Sequence, residues 1–241
     1  MVDPGEGIPA YAELLQKSLV QENVSTISKI LCTHRHKGFP YSITDSDHVK
    51  GVHQVRDLMG YQIPAYKRLV PSDTNDEYNF IDIPDNQIFD IEGATLRAIH
   101  TPGHTDDHVS FLLEEENAIF TGDCVLGQGS AIFENLSDIM NSLSSLLTLN
   151  PKILYPGHGP TVFDGPKKIT EYINNRLDRE KAIIQLLQTN DMTSGDLTKT
   201  IYKGYPESIL EAAERSVILH LQKLMEEKRV VVNQDTYRYL Q

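Results

Sequence analysis

Through residues 1–165 short apolar runs alternate with polar turns, and from Pro166 onward the apolar positions fall into helical spacing. Tyr11, Leu14, Leu15 and Leu19 recur at helical intervals over residues 9–22. Residues 26–32 are β-rich and read as a short central strand that delivers Thr33-His34-Arg35-His36 at its end. Residues 48–59 suit a helix, 63–70 a further strand and 72–79 a polar turn. Four short strands follow at 89–92, 94–100, 109–113 and 118–121, a meander separated by Gly or acidic turns. Residues 136–149 carry Leu136, Ile139, Leu143, Leu146 and Leu147 on one helical face, and 153–155 form a brief strand.

Beyond Pro166, Ile169, Ile173, Leu177, Ile183, Ile184 and Leu187 mark a long helix. Thr193-Ser194 can cap a second helix and Pro206-Glu207 opens a third. Residues 230–232 and 237–239 flank an Asn-Gln-Asp turn. Three helices and a hairpin make the order of a winged helix. The chain is therefore expected to form an α/β domain over residues 1–165 and a winged-helix-like domain over 166–241, with no internal repeat.

The 241 residues are enough to bury a substantial core, and 39% apolar with 23% charged content is ordinary for a globular protein. No apolar run reaches the roughly 20 residues of a membrane span. Two cysteines cannot build a disulfide framework, which favours a reducing intracellular compartment. A net charge of −12 argues against a broad basic face for nucleic acid. Residues 176–241 balance ten basic against ten acidic side chains, so the wing is expected to take no duplex DNA and the acidic excess lies upstream.

The candidate chemistry sits where apolar runs end. His34 and His36 are two apart at a strand end and point to one face. His104, Asp123 and His158 each follow an apolar run at a Gly-containing turn, in Thr101-Pro-Gly-His104, Gly122-Asp123-Cys124 and Pro156-Gly-His158-Gly159. Imidazole and carboxylate are donors that zinc accepts. Setting aside residues 37–45, or 38–46, joins His34 and His36 to Asp47-His48 as Thr-His-x-His-x-Asp-His.

With these motifs the sequence resembles the metallo-β-lactamase fold family, of which Thr-His-x-His-x-Asp-His is the defining signature. Gly103-His-Thr-Asp-Asp-His108, Glu114-Glu-Glu-Asn117 and Gly122-Asp-Cys124 resemble an animal branch of that family with a winged-helix tail. The resemblance implies an αββα sandwich that is N-terminally incomplete, since Asp3-Pro4-Gly5 matches a turn that several strands precede in the family. It implies two zinc ions, one on His34, His36 and His104 and one on Asp47, His48 and His158, with Asp123 bridging. It further implies hydrolysis of single-stranded RNA phosphodiesters by a hydroxide shared between the metals, Asp47 orienting that water and handling its proton, Asp3 supporting the ligands, and a mitochondrial or cytoplasmic location.

Other residues receive plainer readings. His53, His100 and His220 are expected to be structural, and Cys32 and Cys124 to pack rather than ligate. His108, beside the metal loop, is a candidate contact for substrate phosphate. Two alternatives stay open: a glyoxalase II-type thioester hydrolase on the same ligands, and a catalytically impaired chain that acts as a binding module because residues 37–45 interrupt the signature.

Overall fold

The computed structural model describes residues 1–35, 48–71 and 77–240. Helix α1 (Pro9–Gln21) leads to strand β1 (Ile30–Leu31), helix α2 (Gly51–Met59) and strands β2 (Ala65–Lys67) and β3 (Ile81–Asp82). These three strands form one sheet in the order β1-β2-β3, all parallel. Strands β4 (Ile88–Ile91), β5 (Ala94–His100), β6 (Val109–Leu113) and β7 (Ala118–Gly122) run antiparallel in a second sheet. After helix α3 (Leu136–Thr148), strand β8 (Ile153–Pro156) joins β7 in parallel.

Alternation of side chains across each strand builds three layers of contact. Leu31 packs between the sheets with Ile83, Phe89, Ala98, Val109 and Phe111. Its neighbours Ile30 and Cys32 point the other way, onto Val52 and Val55 of α2 and, more loosely, Tyr11, Leu15 and Leu19 of α1. In the second sheet Phe111 faces inward, whereas Leu112, Ile119 and Leu154 face out against Ile139, Leu143 and Leu146 of α3. Two sheets with helices on both outer faces make the expected αββα sandwich.

Helix α4 (Gly165–Leu187) belongs to two cores. Its first half buries Ile169 and Tyr172 beside α3, and its second half buries Ile183 and Leu187. The latter meet helix α5 (Ser194–Ile201), helix α6 (Leu210–Glu226) and strand β10 (Val230–Asn233) in a C-terminal core. Strand β11 (Thr236–Tyr239) pairs with β10 and with the two-residue strand β9 (Met192–Thr193). The hairpin and helices are those of a winged helix, and Thr193 caps α5 by accepting from the Asp196 N–H at 3.1 Å.

Several boundaries differ from expectation. The strand read over 26–32 is regular only at Ile30–Leu31, and that over 63–70 only at Ala65–Lys67. The third C-terminal helix begins with a 3-10 turn, Glu207–Ile209, before α6. Of the apolar residues at helical spacing in α1, Leu14 is exposed. No helix among the described residues is long and apolar enough to cross a membrane.

Candidate metal centre

His34, His48, His104, Asp123 and His158 come together at the ends of β1, β5, β7 and β8 and at the entrance to α2. Donor atoms of His34, His48 and Asp123 lie within 4.8 Å of one another. The Nε2 atoms of His34 and His104 are 3.2 Å apart. Asp123 is central: Oδ1 lies 3.6 Å from His48 Nε2, and Oδ2 lies 3.6 Å from His158 Nε2 and 3.8 Å from His104 Nε2. His34, His48, His104 and Asp123 are buried, while His158 is half-exposed and opens the cluster to solvent. His36 and Asp47, the other expected ligands, lie outside the described residues.

The far side of each inner ring is fixed by a hydrogen bond, which sets the tautomer and turns Nε2 toward the cluster. His104 Nδ1 donates to the Ile132 carbonyl at 2.7 Å. His48 Nδ1 donates to Asp3 Oδ2 at 2.8 Å. The Thr33 hydroxyl donates to the same Asp3 oxygen at 2.9 Å, so it accepts from His34 Nδ1, also 2.9 Å away. Asp3 Oδ1 accepts the Thr33 N–H at 2.7 Å. One carboxylate thus orients the rings of two expected ligands, one directly and one through Thr33. It does so from a left-handed backbone, φ +46°, which Asp tolerates better than most residues.

In neutral imidazoles held this way, His34 and His104 present lone pairs to each other beside a carboxylate. A cation relieves that repulsion. Neither cysteine is among the donors that converge here; both are buried, and burial pushes the Cys124 thiol up to about 12 and raises Cys32 well above its ordinary value, with the Asp3 carboxylate adding to the Cys32 shift. The residues present therefore fit divalent first-row ions that accept nitrogen and oxygen donors. The backbone leaves room only because Gly157 lacks a side chain; a Cβ there would lie 2.6 Å from Asp123 Oδ1 and 2.7 Å from the His48 ring.

Two residues that sequence reasoning left without a role brace the cluster. Lys67 Nζ donates to Asp107 Oδ2 at 2.8 Å, with both side chains 1% exposed. Asp107 Oδ2 also accepts the Arg35 N–H at 2.9 Å, and Oδ1 accepts the Thr105 hydroxyl at 2.6 Å. The pair ties β2 to the residues that follow His34 and His104.

The expected role of His108 is corrected. The ring is fully buried, Nε2 accepts the Asp123 N–H at 3.1 Å, and Nδ1 donates to Thr101 Oγ1 at 2.8 Å. Burial, and then the neighbouring His104, hold its pKa well below the ordinary imidazole range. With both nitrogens engaged and no exposed surface, His108 positions the Asp123 backbone and cannot touch substrate. Gly122 allows this contact, since a Cβ there would meet His108 Nε2 at 2.7 Å.

Comparison with known proteins follows the same lines. Residues 1–158 match the family described as Metallo-beta-lactamase superfamily, and residues 193–238 match the Beta-lactamase associated winged helix domain. A Caenorhabditis elegans protein named Beta-lactamase-like protein 2 homolog is 39% identical over 229 residues, 93% of this chain and 74% of the relative. An Aspergillus chevalieri protein named Atrochrysone carboxyl ACP thioesterase is 36% identical over 233 residues, 92% of this chain and 71% of the relative. The crystal structure of a beta-lactamase domain protein from Burkholderia ambifaria shares the fold at a TM-score of 0.80 and 15% identity, over 99% of this chain and 82% of that one.

Proposed function

The chain belongs to the metallo-β-lactamase superfamily of hydrolases, with its associated winged helix, and from that premise we propose that it is a two-zinc phosphodiesterase acting on single-stranded RNA. The observation that carries the reading is the convergence of four imidazoles on the Asp123 carboxylate. His34, His36 and His104 are assigned to one ion, Asp47, His48 and His158 to the other, and Asp123 to both. Zinc bound there would supply Lewis acidity and would lower the pKa of water toward neutrality. The side chains supply the rest. Asp47 takes the proton of the attacking water, Asp3 and Ile132 keep three rings in register, and half-exposed His158 marks the face from which substrate enters. RNA is chosen because the motifs around His104 and Asp123 resemble those of the RNA-cutting branch of the family.

A second reading, thioester hydrolysis, is favoured by the relative that bears a thioesterase name. One experiment separates them. Zinc-loaded protein is given end-labelled single-stranded RNA and, separately, acyl-glutathione and acyl-carrier-protein thioesters, each with and without chelator. Chelator-sensitive RNA fragments are expected. Intact RNA with rapid thioester turnover, at two zinc ions per chain, overturns the RNA reading in favour of the other.

A further inference from the structure

We infer that α4 is part of the metal-binding apparatus: Tyr172 and Arg176 are positioning residues that hold the Ile132 carbonyl against His104. Ile132 lies in an irregular segment, residues 126–135, between β7 and α3. A carbonyl orients a ring only if its own segment is held in place, and no ladder of strand or helix bonds does so here. Its side chain points outward, exposed, while its oxygen accepts from His104 Nδ1 at 2.7 Å.

The restraint comes from α4. The Tyr172 hydroxyl accepts the Leu126 N–H at 3.1 Å and donates to the Gly129 carbonyl at 2.9 Å, which pins the near end of the segment. At the far end, buried Phe133 lies under the Arg176 guanidinium, 5.1 Å from its ring centroid. The same guanidinium covers the Tyr172 ring at 5.0 Å. Arg176 is 5% exposed, and although Nη1 donates to the Tyr172 carbonyl, Nε and Nη2 have no hydrogen-bond partner among the described residues. A buried guanidinium so sparsely satisfied is costly. What it offers in return is a flat cationic face that clamps two aromatic rings at once.

The clamped segment reaches the loops of both His104 and His158. Glu134 and Asn135 donate their N–H groups to the Gly103 carbonyl, next to His104, at 2.7 and 3.1 Å. Gly127 donates to the His158 carbonyl at 3.0 Å. From the C-terminal side, the His220 ring of α6 contacts the Arg176 carbonyl at 3.2 Å and stands edge-on to Phe133 with centroids 6.3 Å apart. The winged-helix half is thereby mechanically joined to the ligands.

The inference rests on the assignment of His104 and His158 as metal ligands, not on the substrate. Its test is Tyr172→Phe, which deletes both hydroxyl bonds and keeps the ring, with Arg176→Met as a second variant that keeps the bulk and removes the cation. Cobalt(II) is bound to the wild type and to each variant in the full chain, and its visible absorption and its affinity against a competing chelator are recorded, alongside thermal unfolding of the metal-free proteins. A loss of affinity of about tenfold or more with an altered cobalt spectrum is expected, at a metal-free midpoint close to wild type for Tyr172→Phe. Unchanged spectrum and affinity in Tyr172→Phe overturn the inference, whether or not its midpoint falls, because the residue is then only structural. Wild-type protein that binds no cobalt overturns it too, whereas protein that binds cobalt and leaves RNA intact refutes the substrate alone.

Discussion

Lys67→Met is expected to destabilise the metal-free protein by about 3–5 kcal/mol, the usual cost of removing one partner from a buried ion pair. Methionine matches the lysine stem in volume, so little of the loss is packing. What remains is the Asp107 carboxylate, 1% exposed, with two neutral donors, the Arg35 N–H and the Thr105 hydroxyl, and no countercharge in an ion pair with it among the described residues. Because those donors adjoin His34 and His104, the relaxation that accommodates the orphaned charge also pulls two expected ligands apart. The double variant Lys67→Met/Asp107→Leu is not expected to recover full stability, since it strands the same two donors without an acceptor. Denaturant unfolding of the metal-free proteins measures the effect, and a Lys67→Met loss below about 1 kcal/mol would show that the pair is not the brace described.

Asp3→Ala is expected to weaken zinc binding at the upper end of the roughly 10–100-fold range for outer partners of metal ligands, because it disorganises two rings rather than one. Without the carboxylate, His48 loses the acceptor that fixes its tautomer, and the Thr33 hydroxyl is free to rotate and donate to His34 Nδ1. The Thr33 N–H is also left buried without an acceptor. Asp3→Asn provides the contrast: asparagine accepts the left-handed backbone and can still receive the Thr33 N–H, but it offers only one oxygen for the work of two. Its zinc affinity should fall between wild type and Asp3→Ala in a competition titration. Wild-type affinity in Asp3→Ala would remove Asp3 from the site.

The part of this architecture that the sequence discloses is the part written in side-chain pattern. The meander over 88–122, α3 and the expected ligands at strand ends all follow from apolar periodicity broken by Gly turns. Lys67 escapes because its charge argues for solvent. Yet Ile63, Ala65 and Lys67 share one phase of a strand, and the first two are buried, so period alone places the lysine inside. On α4 the apolar alphabet misleads in the same way. Ile173 and Leu177 suggest the buried stripe, but Leu177 is 46% exposed and the stripe is Ile169, Tyr172, Arg176, Ile183 and Leu187. An arginine roofed by aromatic rings counts as core, and no hydropathy scale records that. Strands β3 and β9 are too short to carry a period. The support from Ile132 is a backbone carbonyl, which any residue type supplies.

The N-terminal turn couples the metal centre to local opening of the chain. Residues 1–7 are stitched down by the Leu31 N–H to the Met1 carbonyl, the Asp3 N–H to the Leu31 carbonyl and the Gly51 N–H to the Gly5 carbonyl, each at 2.9 Å. The turn passes so near the start of α2 that a Cβ on Gly51 would lie 2.0 Å from the Pro4 oxygen. Local opening of residues 1–7 carries Asp3 away from His34 and His48 together, so the open form has little affinity for the ion. Metal at a hundred times its dissociation constant then disfavours that opening by about 2.7 kcal/mol. Amide hydrogens of Leu31 and Gly51 should exchange roughly a hundredfold more slowly in the loaded protein, making the first seven residues a clasp that the metal itself fastens.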